Sequence, residues 1–185
     1  MSKTIGARMK FQNLLWLVVC SALCAPVVFA QSASPSALKS AARALTTAEV
    51  SGLAIEASLG DCSAQIMMGL TLQLYAERVT YEPGERTDLY KSSAYWFRKA
   101  AEKDFAPALH LLALVDLKVF QCVEGVKSLN KAISQNHLPS MTALGQPYVD
   151  GGCVKTDFAA GVDWLRKAAA GGEGEAHFLI GSAYE

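Results

Sequence analysis

The side chains able to do chemistry are few and poorly placed for it. Ser36 and Lys39 stand three apart in "SALK", the spacing at which a lysine amine activates a serine hydroxyl for acyl transfer. The S-D-N and K-T-G stretches that complete such a site are missing, and the pair sits in a Ser/Ala-rich stretch with no base nearby, so the match reads as chance. His110, His137 and His177 form no H-x-x-x-H, and there is no C-x-x-C or D-x-D-x-D to gather metal ligands. Glu124, Asp150, Asp157 and Asp163 read as turn and surface acids, not as a general acid and base facing each other across a cleft. The sequence therefore predicts no catalytic residue, no cofactor site and no metal site.

The first thirty residues form a separate segment. Lys3, Arg8 and Lys10 make a basic start, residues 14–30 carry no charge, and the stretch closes on Val28-Phe29-Ala30. That order reads as a secretory signal peptide cut after Ala30. An uncleaved anchor is the alternative; its apolar run of about 17 residues is short for a span and contains Pro26. Lipid attachment at Cys24 is a third option, disfavoured by the large Leu23 before it. Secretion would place the mature chain in the periplasm or outside the cell, with no membrane span left after cleavage. The mature chain would carry 14 basic against 17 acidic residues, a net charge of about −3. No basic stripe is present to neutralise a run of phosphates, so nucleic acid is not expected as a partner.

Residues 31–45 are rich in Ser and Ala and read as a flexible lead-in, leaving 46–185 as one domain. Thr46 with Glu49 forms a capping box for a helix over 46–61. Beyond it the chain repeats itself. "SAYWFRKAAEKD" at 93–104 returns as "GVDWLRKAAAGG" at 161–172, and Lys99-Ala100, Lys131-Ala132 and Lys167-Ala168 mark one register. Nine positions after each Lys comes a small residue, Ala108, Ser140 or Ala176, and five positions later another, Ala113, Gly145 or Gly181. Ala64 and Gly69 repeat that pair earlier, with Glu56-Ala57 in place of Lys-Ala. The spacings between the first small residues, from Ala64 onward, are 44, 32 and 36, the period of a helical repeat array.

Each unit reads as two helices. In the third, Met141, Leu144 and Tyr148 give the first helix its apolar face, and Gly151-Gly152 supply positive φ for the turn. Phe158, Val162, Leu165 and Ala169 line the second helix, Asp157 caps it, and Gly171-Gly172 ends it. The glycines at 69, 145 and 181 predict close backbone contact between paired helices, and Trp96, Phe97 and Trp164 are expected in the core.

"SMTALGQPY" (140–148) and "AHFLIGSAY" (176–184), with "AYWFRKAAEKD" (94–104) and "VDWLRKAAAGG" (162–172), resemble the Sel1-like repeat, a relative of the tetratricopeptide repeat. The likeness covers roughly residues 64–184 and departs at Asp116 and Leu72, where the pattern has Tyr, and at Ser128, where it has Trp. The turn within the second unit is shortened, and the first unit is lengthened around "TYEPGERTD". The resemblance implies an all-α fold, a right-handed α/α solenoid of about three and a half helix-turn-helix units. It also implies a non-catalytic scaffold or adaptor that binds a protein or peptide on its concave face. The first helices line that face in this architecture, so Gln65, Gln73, His110, Thr142 and Gln146 are expected as exposed contact residues.

Some secreted members staple the two helices of a unit with paired cysteines; this chain lacks those pairs. Of its cysteines, Cys20 and Cys24 leave with the signal segment and Cys62 falls at the other edge. Cys122 and Cys153 occupy turns of consecutive units, which stack about 9–10 Å apart, beyond the ~7 Å reach of a disulfide unless the short second turn closes the gap. Their pairing stays open at this point. The rival function is a cell-wall-acting hydrolase, β-lactamase-like or cutting muropeptides, carried on a helical repeat scaffold. A truncated copy of a longer repeat protein is a third reading, since residues 176–185 would leave Phe178 and Ile180 uncovered.

Overall fold

A computed structural model describes residues 47–78 and 83–184. The expected signal peptide, the expected lead-in and Thr46 of the expected capping box lie outside the described residues, as does part of the lengthened stretch around 79–82. Within them the chain forms eight α-helices and no strand: α1 (Thr47–Ser58), α2 (Cys62–Arg78), α3 (Pro83–Ala101), α4 (Ala106–Lys118), α5 (Cys122–Ile133), α6 (Leu138–Asp150), α7 (Phe158–Ala170) and α8 (Gly174–Ala183).

Local chemistry sets the boundaries. Pro107 and Pro139 stand in the first turns of α4 and α6, where the missing N–H would have had no partner and the fixed φ suits a helix. Asp157 caps α7 as expected, its Oδ1 accepting the Ala160 N–H at 3.0 Å. Asp61 does the same for Ala64 at 2.7 Å. The turns between units share one device that the sequence reading passed over: Gly60, Asp104, Asn136 and Gly172 all take positive φ, four residues before the small residue that opens the next helix register. Gly, Asp and Asn are the residues that tolerate this conformation. Gly151 and Gly152 also take positive φ, as the turn in the third unit requires.

The helices pack in sequence, with α2 on α3, α4 on α5 and α6 on α7 as complete pairs, α1 leaning on α2, and α8 on α7 and α6. The repeat register is the packing register. Ala57, Ala100, Ala132 and Ala168 are buried, and so are Ala64, Ala108, Ser140 and Ala176. Phe97, Leu129 and Leu165, three residues before the alanines of their helices, are the large side chains these small ones admit. Core thus forms as successive clusters between neighbouring helices, the largest running from Ile66 in α2 to Ala132 in α5, the mark of a stacked repeat. Trp96 and Trp164 are half-buried and pack against these clusters, so they belong to the core.

Close approach occurs where the sequence predicted it at two glycines and fails at the third. A Cβ on Gly69 would stand 2.5 Å from the Phe97 ring, and one on Gly145 would stand 2.9 Å from the Gly161 carbonyl oxygen and 2.9 Å from Leu165 Cγ. Gly161 reciprocates against Gly145 and Val149, so α6 and α7 meet backbone to backbone. Gly181 does not follow: a Cβ there would meet nothing within 4 Å, because no described helix stands in the second-helix place against α8. Cys122 and Cys153 are joined in a disulfide, with Cα atoms 5.0 Å apart. The short turn 119–121 puts Cys122 at the first residue of α5, and the longer loop 151–157 carries Cys153 across to it.

Candidate functional site

The five residues expected on an exposed concave face divide sharply. Gln146 is exposed, whereas Gln65, Gln73, His110 and Thr142 are buried. The reason is the stack: a first helix packs against its own second helix and against the second helix that precedes it, and α6 also reaches His110 of α4. Gln65 Nε2 donates to the Ala57 carbonyl at 3.1 Å, and Gln73 Nε2 donates to Glu77 Oε1 at 3.2 Å. The Gln65 bond ties α2 to α1, whereas the Gln73 bond stays within α2.

Burial gathers one polar cluster that sequence spacing did not join. His110 in α4 and His137, which caps α6, flank the Ser140 hydroxyl, with Nδ1 to Oγ distances of 3.2 and 2.8 Å and ring centroids 5.1 Å apart. One hydroxyl serves two imidazoles by donating to one ring and accepting from the N–H of the other. Burial holds His137 neutral, pushing its pKa down to about 4. His177, two units further along, is exposed on α8. The signal for the cluster was present: His137 precedes Ser140 by three residues, and His110 stands two beyond Ala108, a position that faces the next unit. Ser140 and His110 are buried, and His137 is half-buried at the start of α6.

A second buried group is Asp116, where the repeat pattern would put Tyr. Its carboxylate is buried, with Arg98 Nη2 at 3.8 Å and one oxygen lacking a hydrogen-bond partner. Desolvation raises its pKa to about 6, against the pull of Arg98. Glu124, Asp150, Asp157 and Asp163 are exposed, as read. Among the described residues no group of three or more His, Cys, Asp or Glu side chains could hold a metal ion. Cys62, at the start of α2, is outside the disulfide.

The solvent-facing surface is mostly polar, with some large apolar and aromatic side chains on it. Phe120, in the short turn, takes φ 60°, a strained backbone for a bulky side chain, and its ring is 84 % exposed beside exposed Val123 and the disulfide. At the far end Phe178 and Tyr184 are exposed; Tyr184 stacks edge-on against Phe158, with centroids 5.6 Å apart, and takes a hydrogen bond from Arg166 at 3.1 Å. No described helix is long and apolar enough to cross a membrane.

No protein-family model matches the chain, and no curated protein does. Among solved structures, a Sel1 repeat protein from Oxalobacter formigenes matches at 30% identity over 69% of this chain and 97% of its own, with a TM-score of 0.49. The chain belongs to the Sel1-like repeat family. A protective antigen of uropathogenic Escherichia coli with an SLR fold also matches, at 20% identity and a TM-score of 0.46, over 84% of this chain and 42% of the antigen. Within the Sel1-like register, the functional oddities of this chain are substitutions at buried places: Asp116 for an aromatic and Ser140 for alanine. Each puts a titratable or hydroxyl group where the repeat has a packing residue.

Proposed function

We propose that this Sel1-like repeat protein is a non-catalytic scaffold that binds a protein or peptide in the bacterial cell envelope. The observation that carries the reading is the division of its surface from its interior. The groups with chemical reach, His110, Ser140 and Asp116, are buried, while large apolar and aromatic side chains such as Phe120, Val123, Phe178 and Tyr95 face solvent. Exposed apolar side chains that neighbour one another, as Phe120 and Val123 do beside the disulfide, suit docking. Sel1-like repeats are generally protein-interaction scaffolds, and the fold here is built the same way. The envelope location draws its support from the signal-like segment 1–30 and from the Cys122–Cys153 bridge, which suits an oxidising compartment.

Crosslinking in living cells followed by mass spectrometry tests the proposal. A reproducible envelope protein crosslinked through residues beside Phe120 or Gln146 is the expected result. Turnover of nitrocefin or of muropeptides by the purified chain, above blank, would replace it with the hydrolase reading.

A further inference from the structure

The turn between α4 and α5 holds a residue that its backbone does not suit. Phe120 N–H donates to the Leu117 carbonyl at 3.2 Å and Gln121 N–H to the Asp116 carbonyl at 2.8 Å, the pair of bonds that closes a helix through a left-handed residue. Glycine is the usual occupant of that place. Here it is Phe120 at φ 60°, the one bulky side chain at positive φ among the described residues; the rest are glycines, Asp104 and Asn136. Packing does not compensate, because Phe120 is 84 % exposed.

Strain of this kind persists where the surroundings fix the backbone more firmly than the residue itself would. On one side of Phe120, Val119 is held to α4, its N–H donating to the Val115 carbonyl at 3.1 Å. On the other side, Cys122 opens α5 and is bonded to Cys153 in the loop 151–157. That loop is anchored in turn: Gly151 N–H and Asp157 N–H donate to the carbonyls of Pro147 and Tyr148, both at 2.9 Å, and Asp157 caps α7. Phe120 thus stands between a hydrogen-bonded anchor and a covalent one. Both half-cystines are only half-buried, so the covalent anchor lies at the surface.

We propose that the Cys122–Cys153 disulfide is a thiol-exchange site for a dithiol, and that it is the clamp that keeps Phe120 in its exposed, left-handed place. The two sulfurs are not equivalent. Cys122 is the first residue of α5, and the N-cap Gln121 makes no side-chain cap bond, so the first-turn N–H groups favour an anion at Cys122. Glu124, exposed in that same turn, is the opposing charge. Cys153 Sγ lies 4.0 Å from the Leu117 carbonyl oxygen, at the negative end of α4, which suits a thiol and not a thiolate. Cys122 is therefore the better leaving group. One thiolate of the dithiol attacks Cys153 Sγ, forms a mixed disulfide and expels the Cys122 thiolate. The second thiolate then attacks the reagent's own sulfur in that mixed disulfide and releases Cys153. The reagent leaves as a disulfide, and its two protons end on Cys122 and Cys153. With the tie open, Phe120 leaves the left-handed region. The exchange is independent of which protein the scaffold binds.

The test equilibrates the full-length chain, without denaturant, against graded ratios of reduced to oxidised dithiothreitol, then alkylates it and maps the peptides by mass spectrometry. Cys122 and Cys153 are expected to pass together from bridged to alkylated, with Cys122 alkylating several-fold faster in the reduced chain. Hydrogen exchange reads the clamp. Reduction should speed exchange at the Phe120 and Gln121 amides about tenfold, the order that left-handed strain at a bulky residue corresponds to, while α2 and α3 keep their protection. Cys122→Ser with Cys153→Ser should show the same fast exchange with no reductant present. Phe120→Gly, free of the strain, should keep slow exchange at 120 and 121 after reduction. A bridge that opens only in denaturant overturns the proposal. So does a reduced chain whose amides at 120 and 121 exchange as slowly as in the bridged one, or a Phe120→Gly variant that loosens as much as the parent. Faster alkylation at Cys153 overturns the choice of Cys122 as leaving group.

Discussion

Asp116 and His137 carry opposite electrostatic loads over nearly the same pH window. The Asp116 carboxyl titrates near 6 when folded, above its ordinary 3.8, so the folded state favours its neutral form. Its cost is absent below 3.8, grows as pH rises, and is complete above about 6. A two-unit shift, already net of the opposing pull of Arg98, corresponds to at most about 3 kcal/mol. Asp116→Asn should therefore raise stability by about 1–2 kcal/mol at pH 7.5 and leave it unchanged near pH 3.5, read from urea midpoints. His137 runs the other way. Its folded pKa near 4 lies below the ordinary 6.5, so its stabilisation is whole above 6.5 and lost as pH falls through 4. His137→Gln should flatten the acid limb of the stability profile while costing about 1 kcal/mol at pH 7.5 through the weakened Ser140 contact. An acid limb identical in variant and parent would show that the His137–Ser140–His110 cluster does not govern it.

At the scale of the helix pair, contact distance decides what a glycine is for. Gly145 and Gly161 bring α6 and α7 backbone to backbone, so Gly145→Leu forces the helices apart. The expected cost is about 3 kcal/mol or more, visible as a lower denaturation midpoint. Gly181→Leu, at the same repeat register, meets open space and should gain up to about 1 kcal/mol from helix propensity in the monomer. Equal losses in the two variants would contradict the packing described here. The repeat pattern made Gly69 and Gly145 legible as approach points because both helices of their pairs lie in the sequence. It misled at Gly181, since the pattern records a register and not whether a mate is present. The αL residues Gly60, Asp104, Asn136 and Gly172 were equally legible in spacing, and were missed because three residue types share one backbone role.

Across the whole molecule, the disulfide is the covalent tie between the second and third units. Its half-cystines are 31 residues apart, and closing a loop of that size is worth about 3–4 kcal/mol through the unfolded chain. Reduction, or Cys122→Ser with Cys153→Ser, should lower the melting temperature, and it should do so most in the third unit. Hydrogen exchange resolved by helix would show protection falling in α6 and α7 first, because stacked repeats open locally. Uniform loss along the chain would instead mean that the stack melts as one cooperative block.

The order of helices, their pairing and the family were determined by the sequence alone, because a small residue recurring at a fixed register can be satisfied by one packing and that packing repeats. The tertiary structure decided everything that depends on which face is covered. It buried Gln65, Gln73, His110 and Thr142. It closed the Cys122–Cys153 gap, joined two histidines through Ser140, and left Gly181 of α8 with nothing within 4 Å. Periodicity says which side chains share a helix face; only neighbouring helices, set by turn lengths far along the chain, say what that face meets.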